Sequence, residues 1–375
     1  MKATVDQGYM LQAVRSAAKV APAKPTMEVL ASVRLRAADG RLWVEATDLD
    51  VTLIDRIDAV VGEPGAVCVS AKVLGQVLAK MPAGPLSLSF QGERLAVSVE
   101  GGPRVDAVAT GDHDWPELPQ VPDCEPMVID GRSLSRLLGA VRYAVSTDES
   151  RPNLNGVFLR ATGSVLRAVA TDGHRLAQAE LAHDAPERDG VILPAKGIDR
   201  LMDAGAGDVA LRFVDNSVCV GLPTGAVLFV RLIDAAFPDY RQVVPKGRSE
   251  PVRFDAGALT RTLGVAGVLA SERTHGVRLA FDDCGEVEAS SDNPDLGKAV
   301  DRVTFDGPCP MDGDKPTVVG CNVAYLAQAI AATGADVVAT SVTEGLAPLT
   351  VRPWVGDGVQ APEVDSLHVI MPMRL

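Results

Sequence analysis

One short stretch of this chain carries residues that could do chemistry. It reads Ala170-Thr171-Asp172-Gly173-His174-Arg175-Leu176-Ala177. An aspartate beside a histidine can orient an imidazole as a general base, and Asp148 or Glu149 could supply a further acid. The same residues also make a turn, because Gly tolerates positive φ and Asp bonds its own backbone. The triplet decides between these readings by recurring. Ala46-Thr47-Asp48-Leu49-Asp50 follows a second strand-like run, Arg41 to Glu45, and a weaker echo is Ala289-Ser290-Ser291-Asp292-Asn293-Pro294. The copy at Asp48 lacks the histidine, and no nucleophile recurs beside it. A turn in a repeated fold explains three copies, and a catalytic loop does not. Gly205-Ala206-Gly207-Asp208-Val209-Ala210 loosely matches a dinucleotide loop, but it follows a helix and precedes a strand, the reverse of the order that motif needs.

The elements that must position the turn repeat as well. Six stretches show the i, i+3, i+4, i+7 spacing of one buried helical face. They begin after Asp6, Ser70, Asp130, Pro194, Asp255 and Asn322, so one helix recurs about every sixty residues. Five starts carry a capping residue type, and the sixth is Pro, which suits a first turn. Between them lie alternating runs at 86–90, 95–99, 209–213 and 277–281, read as antiparallel strands. Trp115-Pro116-Glu117-Leu118-Pro119 and Phe237-Pro238-Asp239-Tyr240 repeat one Pro-rich boundary. The expectation is an α+β protein of three repeated domains, 1–124, 125–249 and 250–375, each with two helices packed on antiparallel sheet.

Charge is segregated by element. The chain has a formal net charge of −13, which argues against a simple basic nucleic-acid-binding surface. Yet the helical stretches carry Arg15, Lys19, Lys72, Lys80, Arg132, Arg136, Arg142, Lys196, Arg200 and Arg261, against Asp199 and Asp203 alone. Basic helices without interleaved aromatics suit sequence-independent phosphate contact, while solvated helix faces account for the same residues without nucleic acid. The six cysteines stand singly, with no Cys-x-x-Cys pair, so neither a metal site nor a disulfide framework is expected. The N-terminus lacks the apolar core of a signal peptide, and no apolar run reaches transmembrane length, so a cytoplasmic location is expected.

With these repeats and motifs, the chain resembles the β sliding clamp family, the beta subunit of bacterial DNA polymerase III, over essentially its whole length. The motifs that carry the resemblance are Ala170 to Ala177, Leu154-Asn155-Gly156, Phe237 to Tyr240, Gly276-Val277-Arg278-Leu279 and the terminal Met371-Pro372-Met373-Arg374-Leu375. It implies the DNA-clamp fold and a ring-forming head-to-tail homodimer, with helices lining a hole threaded by duplex DNA. It implies a non-catalytic processivity factor with no cofactor and no metal. Its partners would be the replicative polymerase subunit, the clamp loader and repair polymerases, held through short linear peptides.

The family's peptide-binding pocket carries over residue by residue. Its turn side is Leu154, Thr171, Gly173, His174, Arg175 and Leu176, with Pro238 and Val243 from the boundary segment. Its C-terminal side is Asn322, Tyr325, Leu346 and Pro348, with Val369, Ile370, Met371, Pro372, Met373 and Arg374. Leu154, Leu176, Val243, Leu346, Met371 and Met373 are expected to form an apolar floor, with His174, Arg175 and Arg374 as donors to the peptide. The same matching gives Lys24, Arg151 and Lys196 for DNA contact, and charge adds Arg15, Lys72, Lys80, Arg136 and Arg142. The dimer contact is expected around Arg104 to Thr110, including Asp106, with Val268 and Leu269 on the other side or, equally, in ordinary helix core. Departures from the family pattern stand at Pro152-Asn153, Asp106, Gln242 and Thr274, and residues 353–365 read as a longer, exposed loop. A peptide-binding scaffold that forms no ring is the other reading.

Overall fold

The computed structural model describes the chain except residues 185–186, 246–249, 313–314, 343–346, 357–360 and 375. Six helices follow the expected period: α1 (Gln7–Ala18), α2 (Ala71–Leu78), α3 (Gly131–Arg142), α4 (Ala195–Met202), α5 (Ala256–Gly267) and α6 (Val323–Thr333). Local chemistry fixes their starts. Asp6, Ser70, Asp255 and Asn322 each accept a first-turn N–H on a side-chain oxygen, and Pro194 occupies the same position before α4. Gly131 opens α3 because a Cβ there would lie 2.3 Å from the Gly205 carbonyl. That contact comes from the Gly205–Gly207 loop, which therefore faces protein.

The helices bury most of the faces their spacing predicts, but Val73 on α2 and Val268 at the end of α5 are 43% and 73% exposed. Leu134, Leu137, Leu138 and Val141 on α3 are all fully buried. Each leucine contributes about 1.5–3 kcal/mol of apolar burial. Lys19 is the C-cap of α1, and Lys80 lies one residue beyond the cap of α2, so both leave the helices they were expected to occupy.

The chain divides into two compact units. One holds Met1–Gly131 with Ala204–Leu232, and the other holds Arg132–Asp203 with Ile233–Leu375. In the first, α1 and α2 pack together against one hydrogen-bonded run of 13 strands among the described residues. Val51–Asp58 pairs antiparallel with Val227–Arg231, which carries that sheet from the first repeat into strands 208–231. In the second unit, α3 meets α4 through Ser135 Oγ donating to the Met202 carbonyl at 3.1 Å, and α5 packs on α6. An eight-stranded sheet joins Arg175–Ala182 to Val364–Ile370, and a four-stranded sheet holds Gly276–Phe281 and Gly297–Thr304. The three-way division follows the repeats, whereas the compact units follow the sheets, whose hydrogen bonds run on past the repeat boundaries.

The third echo of the turn shifts by one residue. Asp292 lies within strand Glu286–Asn293, and Asn293 Oδ1 takes the Asp295 N–H at 3.0 Å instead. All six cysteines are free. Among the described residues no helix is long and apolar enough to cross a membrane, and no group of three or more His, Cys, Asp or Glu could hold a metal.

Candidate functional site

The site begins at the turn after strand Val165–Thr171. Gly173 sits at φ 91°, and its N–H donates to Thr171 Oγ1 at 3.1 Å. The N–H groups of His174 and Arg175 both donate to Asp172 Oδ1, at 2.9 and 3.0 Å, and the Arg175 Nε donates to Oδ2 at 2.9 Å. Every strong bond of the Asp172 carboxylate is thus local. It takes the backbone of His174 and not its imidazole, so the Asp–His pair suggested by the sequence is a self-bonded turn rather than a base with its orienter.

The turn is the one the sequence favours; Arg175 is where the structure departs from expectation. It was expected to donate to a peptide, but its guanidinium lies over two rings, 5.0 Å from the Tyr143 centroid and 4.3 Å from that of Tyr325. Its Nη1 also donates to Gln328 Oε1 on α6. With Asp172 on its remaining side, the side chain is 11% exposed. It fastens the turn to α6, a role a planar cation performs well because it can lie over rings while its edges are engaged. The sequence contains four tyrosines, and two of them flank this one arginine. A cation next to a buried strand residue needs partners, which is the signal that could have pointed to Tyr143 and Gln328.

Behind Tyr143 stands His368, wholly buried on strand Val364–Ile370. Its Nδ1 lies 2.9 Å from the Tyr143 hydroxyl and its Nε2 lies 3.1 Å from Ser366 Oγ. Burial, helped by the Arg352 charge, lowers its pKa to about 3, so the ring is neutral. The Tyr143 hydroxyl is held well above its ordinary value, chiefly by burial. Sequence reasoning passed over His368 because it sits inside an apolar run.

The C-terminal segment is laid along the turn. Arg175 pairs with Ile370 and Leu176 with Val369. The Met371 N–H then donates to the His174 carbonyl at 3.0 Å, and the Met373 N–H to the Gly320 carbonyl at 2.7 Å. Asn322, two residues past Gly320, caps α6 and donates through Nδ2 to the Thr274 carbonyl at 3.1 Å. Tyr240 joins Leu176 and Val369 in one buried cluster, with Phe237 packed against it. Pro348 leads into strand Leu349–Pro353, whose first residue pairs with Ile370.

The expected floor divides in two. Leu154, Leu176, Val369 and Ile370 are buried core and not open surface: strand pairing turns the last three inward, and Leu154 ends the short 3-10 turn Pro152–Leu154. Met371 and Val243 are each 37% exposed, Pro372 and Met373 are half-buried, and Pro238 is exposed. His174 and Arg374 are exposed, and neither side chain has a polar partner among the described residues. Leu346 lies outside the described residues. Gln242 does not reach toward the turn: its Nε2 donates to Asp239 Oδ2 at 3.2 Å.

The basic residues also divide. Arg15, Lys24, Lys72 and Lys80 are exposed and have no partner among the described residues. Arg142 grips Asp199 with Nε and Nη2 at 2.7 and 3.0 Å. Arg136 donates to Glu363, which also takes the Ser133 hydroxyl. Arg151 pairs with Asp148 at 2.9 Å, and its Nη1 lies 3.2 Å from where a Gly173 Cβ would sit. Lys196 is half-buried and engaged. Of the 353–365 stretch, residues 357–360 lie outside the described residues; Trp354 is half-buried, with Arg253 5.0 Å over its ring.

Two strand edges are unpaired over most of their length among the described residues. Arg104–Thr110 bonds Arg94–Ser98 on one side but meets its other neighbour only at Ala109 and Thr110. Gly297–Thr304 bonds Glu286–Asn293 alone. Asp106 is held by Arg104 at 2.9 Å. Val268, the C-cap of α5, is 73% exposed, which removes the reading of it as helix core, and Leu269 is half-buried.

A helix pair on sheet, used three times, with exposed His174, Met371 and Arg374 beside a self-bonded turn in place of a reacting group, defines a clamp-type scaffold protein. Comparison with known proteins agrees. The family models described as DNA polymerase III beta subunit, N-terminal, central and C-terminal domains match residues 1–119, 128–239 and 241–374. The beta sliding clamp of Caulobacter vibrioides is 30% identical over 388 residues, with 100% of both chains covered, and that of Escherichia coli is 28% identical over 383 residues, again with 100% of both covered. The crystal structure of the Pseudomonas aeruginosa clamp bound to griselimycin covers 100% of both chains at TM-score 0.88 and 27% identity. The chain belongs to the beta sliding clamp family, the DNA polymerase III beta subunits.

Proposed function

We propose that two copies of this chain close head to tail into a ring around duplex DNA in the cytoplasm. The ring acts as the processivity factor of DNA replication, holding the replicative polymerase and other replication and repair proteins. It is a non-catalytic subunit, and its domains divide as 1–124, 125–249 and 250–375. The observation that carries this reading is the Met371-to-Arg374 segment strung between the 171–174 turn and Gly320. It leaves Met371, Met373, His174 and Arg374 open to a docked peptide. Exposed cations on and just beyond the helices of an acidic chain suit weak, salt-sensitive phosphate contact, in which topology rather than affinity retains the protein. Lys24, Arg15, Lys72 and Lys80 make such contacts directly, whereas Arg136, Arg142, Arg151 and Lys196 make them in competition with their own partners. The dimer contact joins the free edge at 104–108, with Asp106, to the partner's third domain near Val268 and Leu269.

Loading onto DNA of different topology tests this. The protein should be retained on nicked circular DNA and run off when the circle is linearised. Equal retention on both forms overturns encirclement and favours the scaffold that forms no ring.

A further inference from the structure

The 171–174 turn has a structural twin at 47–50, and the twin opens onto a groove of its own. In each turn a threonine hydroxyl takes the N–H two residues on, Gly173 to Thr171 and Leu49 to Thr47, both at 3.1 Å. In each, an aspartate Oδ1 takes two later N–H groups. Asp172 takes those of His174 and Arg175, and Asp48 those of Asp50 and Val51. The residue between is left-handed in both, Gly173 at φ 91° and Leu49 at φ 80°. The strand leaving each turn pairs with the last strand of the next repeat, Arg175–Ala182 with Val364–Ile370 and Val51–Asp58 with Val227–Arg231. Even the N–H that closes the pairing is shared: Met371 donates to the His174 carbonyl at 3.0 Å, and Arg231 to the Asp50 carbonyl at 2.8 Å. Asp50 therefore stands where His174 stands, and Arg231 where Met371 stands.

Between this turn, the end of strand Val227–Arg231 and residues 116–120 lies a groove of about 560 Å³. Leu49, 52% exposed, offers it an apolar surface, with Pro119 and Phe229 in the lining. Its charged groups are Asp50, Glu117 and Arg231, and none of these side chains has a polar partner among the described residues. The other groove is different. There Asp172 and Asp239 are occupied by Arg175 and Gln242, and the unengaged groups are His174 and Arg374.

We infer that this second groove binds a short extended peptide in which a Lys or Arg side chain lies beside an apolar one. The cation is recognised by Asp50 and Glu117, the apolar side chain rests on Leu49, and Arg231 holds a peptide carbonyl or carboxy-terminus. The groove at the C-terminus favours the opposite charge, so the two grooves sort partners by sign. The inference borrows peptide capture from the reading of that groove but is tested separately from it.

The test uses the full chain carrying Met373→Ala and Arg374→Ala to weaken the other groove. Its probe is an array of acetylated hexapeptides permuting Lys, Glu, Leu and Gly, followed by titration of the best binders with a photo-cross-linkable label. Lys-Leu peptides should bind, cross-link to residues within 47–52 or 116–120, and lose at least fivefold in affinity with Asp50→Asn plus Glu117→Gln. Those exchanges are near-isosteric at exposed sites, and an unchanged melting temperature shows that the fold is kept. No binding by any Lys-Leu peptide, equal binding by Glu-Leu peptides, or affinity unchanged by the double exchange overturns the inference. Cross-linking at 47–52 with none at 171–176 in the unmodified chain keeps it and removes the reading of the other groove. The converse removes this one alone.

Discussion

Arg175 lies 4.3 Å over the ring of Tyr325 while its Nε holds Asp172 at 2.9 Å, so one side chain ties the 171–174 turn to α6. The contact sets the shape of the groove without offering Arg175 to a ligand. Arg175→Ala leaves a nearly buried carboxylate and two rings without their cation. It should cost about 3 kcal/mol, read as a lower urea midpoint at unchanged slope. Arg175→Lys should recover little, because an ammonium cannot lie over two rings while bonding at planar edges. A midpoint within error of the parent would show that Arg175 carries no structural load.

The twin turns make a paired prediction. Leu49 holds φ 80° with a side chain, and Gly173 holds φ 91° without one. Left-handed backbone costs a non-glycine residue about 1–3 kcal/mol, part of which glycine returns as chain entropy. Leu49→Gly should therefore raise stability by roughly 1 kcal/mol, and Gly173→Ala should lower it by a similar amount. Thermal unfolding of the two variants checks this, and shifts of the same sign would contradict it.

His368 gives the protein an acid-sensitive core. Folded, it stays neutral down to about pH 3, whereas in the unfolded chain it protonates near 6.5. Between those values the unfolded state binds more protons, so this contribution is complete above about pH 6.5 and is lost as pH falls. The slope approaches about 1.4 kcal/mol per pH unit. His368→Leu should be less stable at pH 7, having stranded the Tyr143 and Ser366 hydroxyls, but should lose less stability between pH 6.5 and 4. Denaturant titrations at several pH values test it, and parallel curves for variant and parent would refute the assignment.

Glu363 neutralises Arg136 on α3. In Glu363→Gln that arginine is released to phosphate. Retention on circular DNA should then rise at low salt, and the log–log salt dependence should steepen by about 0.9 for one added phosphate contact. An unchanged slope would mean that Arg136 does not meet DNA.

Met373→Ala with Arg374→Ala removes an open apolar contact and an unengaged cation beside the turn. Affinity for a polymerase-derived clamp-binding peptide should fall roughly tenfold or more, about 1.4 kcal/mol, with the dimer intact by light scattering. Undiminished affinity in a fluorescence titration would place the peptide elsewhere.

Much of this protein is written in local sequence. The six helix starts are legible because a cap acts within one turn, as Asp6, Ser70, Asp255 and Asn322 do. The repeat is legible because each unit must bury the same helical face, and the turn is legible in Thr-Asp-Gly because its hydrogen bonds are made within four residues. Tertiary structure alone decided which of those residues remain available. Leu176 and Ile370 are buried by strand partners nearly two hundred residues apart in the chain. Arg175 is consumed by Tyr143 and Tyr325, Arg136 by Glu363, and His368 is sealed beneath Tyr143. The physical reason is range. Capping and periodicity act over one or two turns of chain, whereas burial, stacking and ion pairing depend on which distant surfaces the sheets bring together.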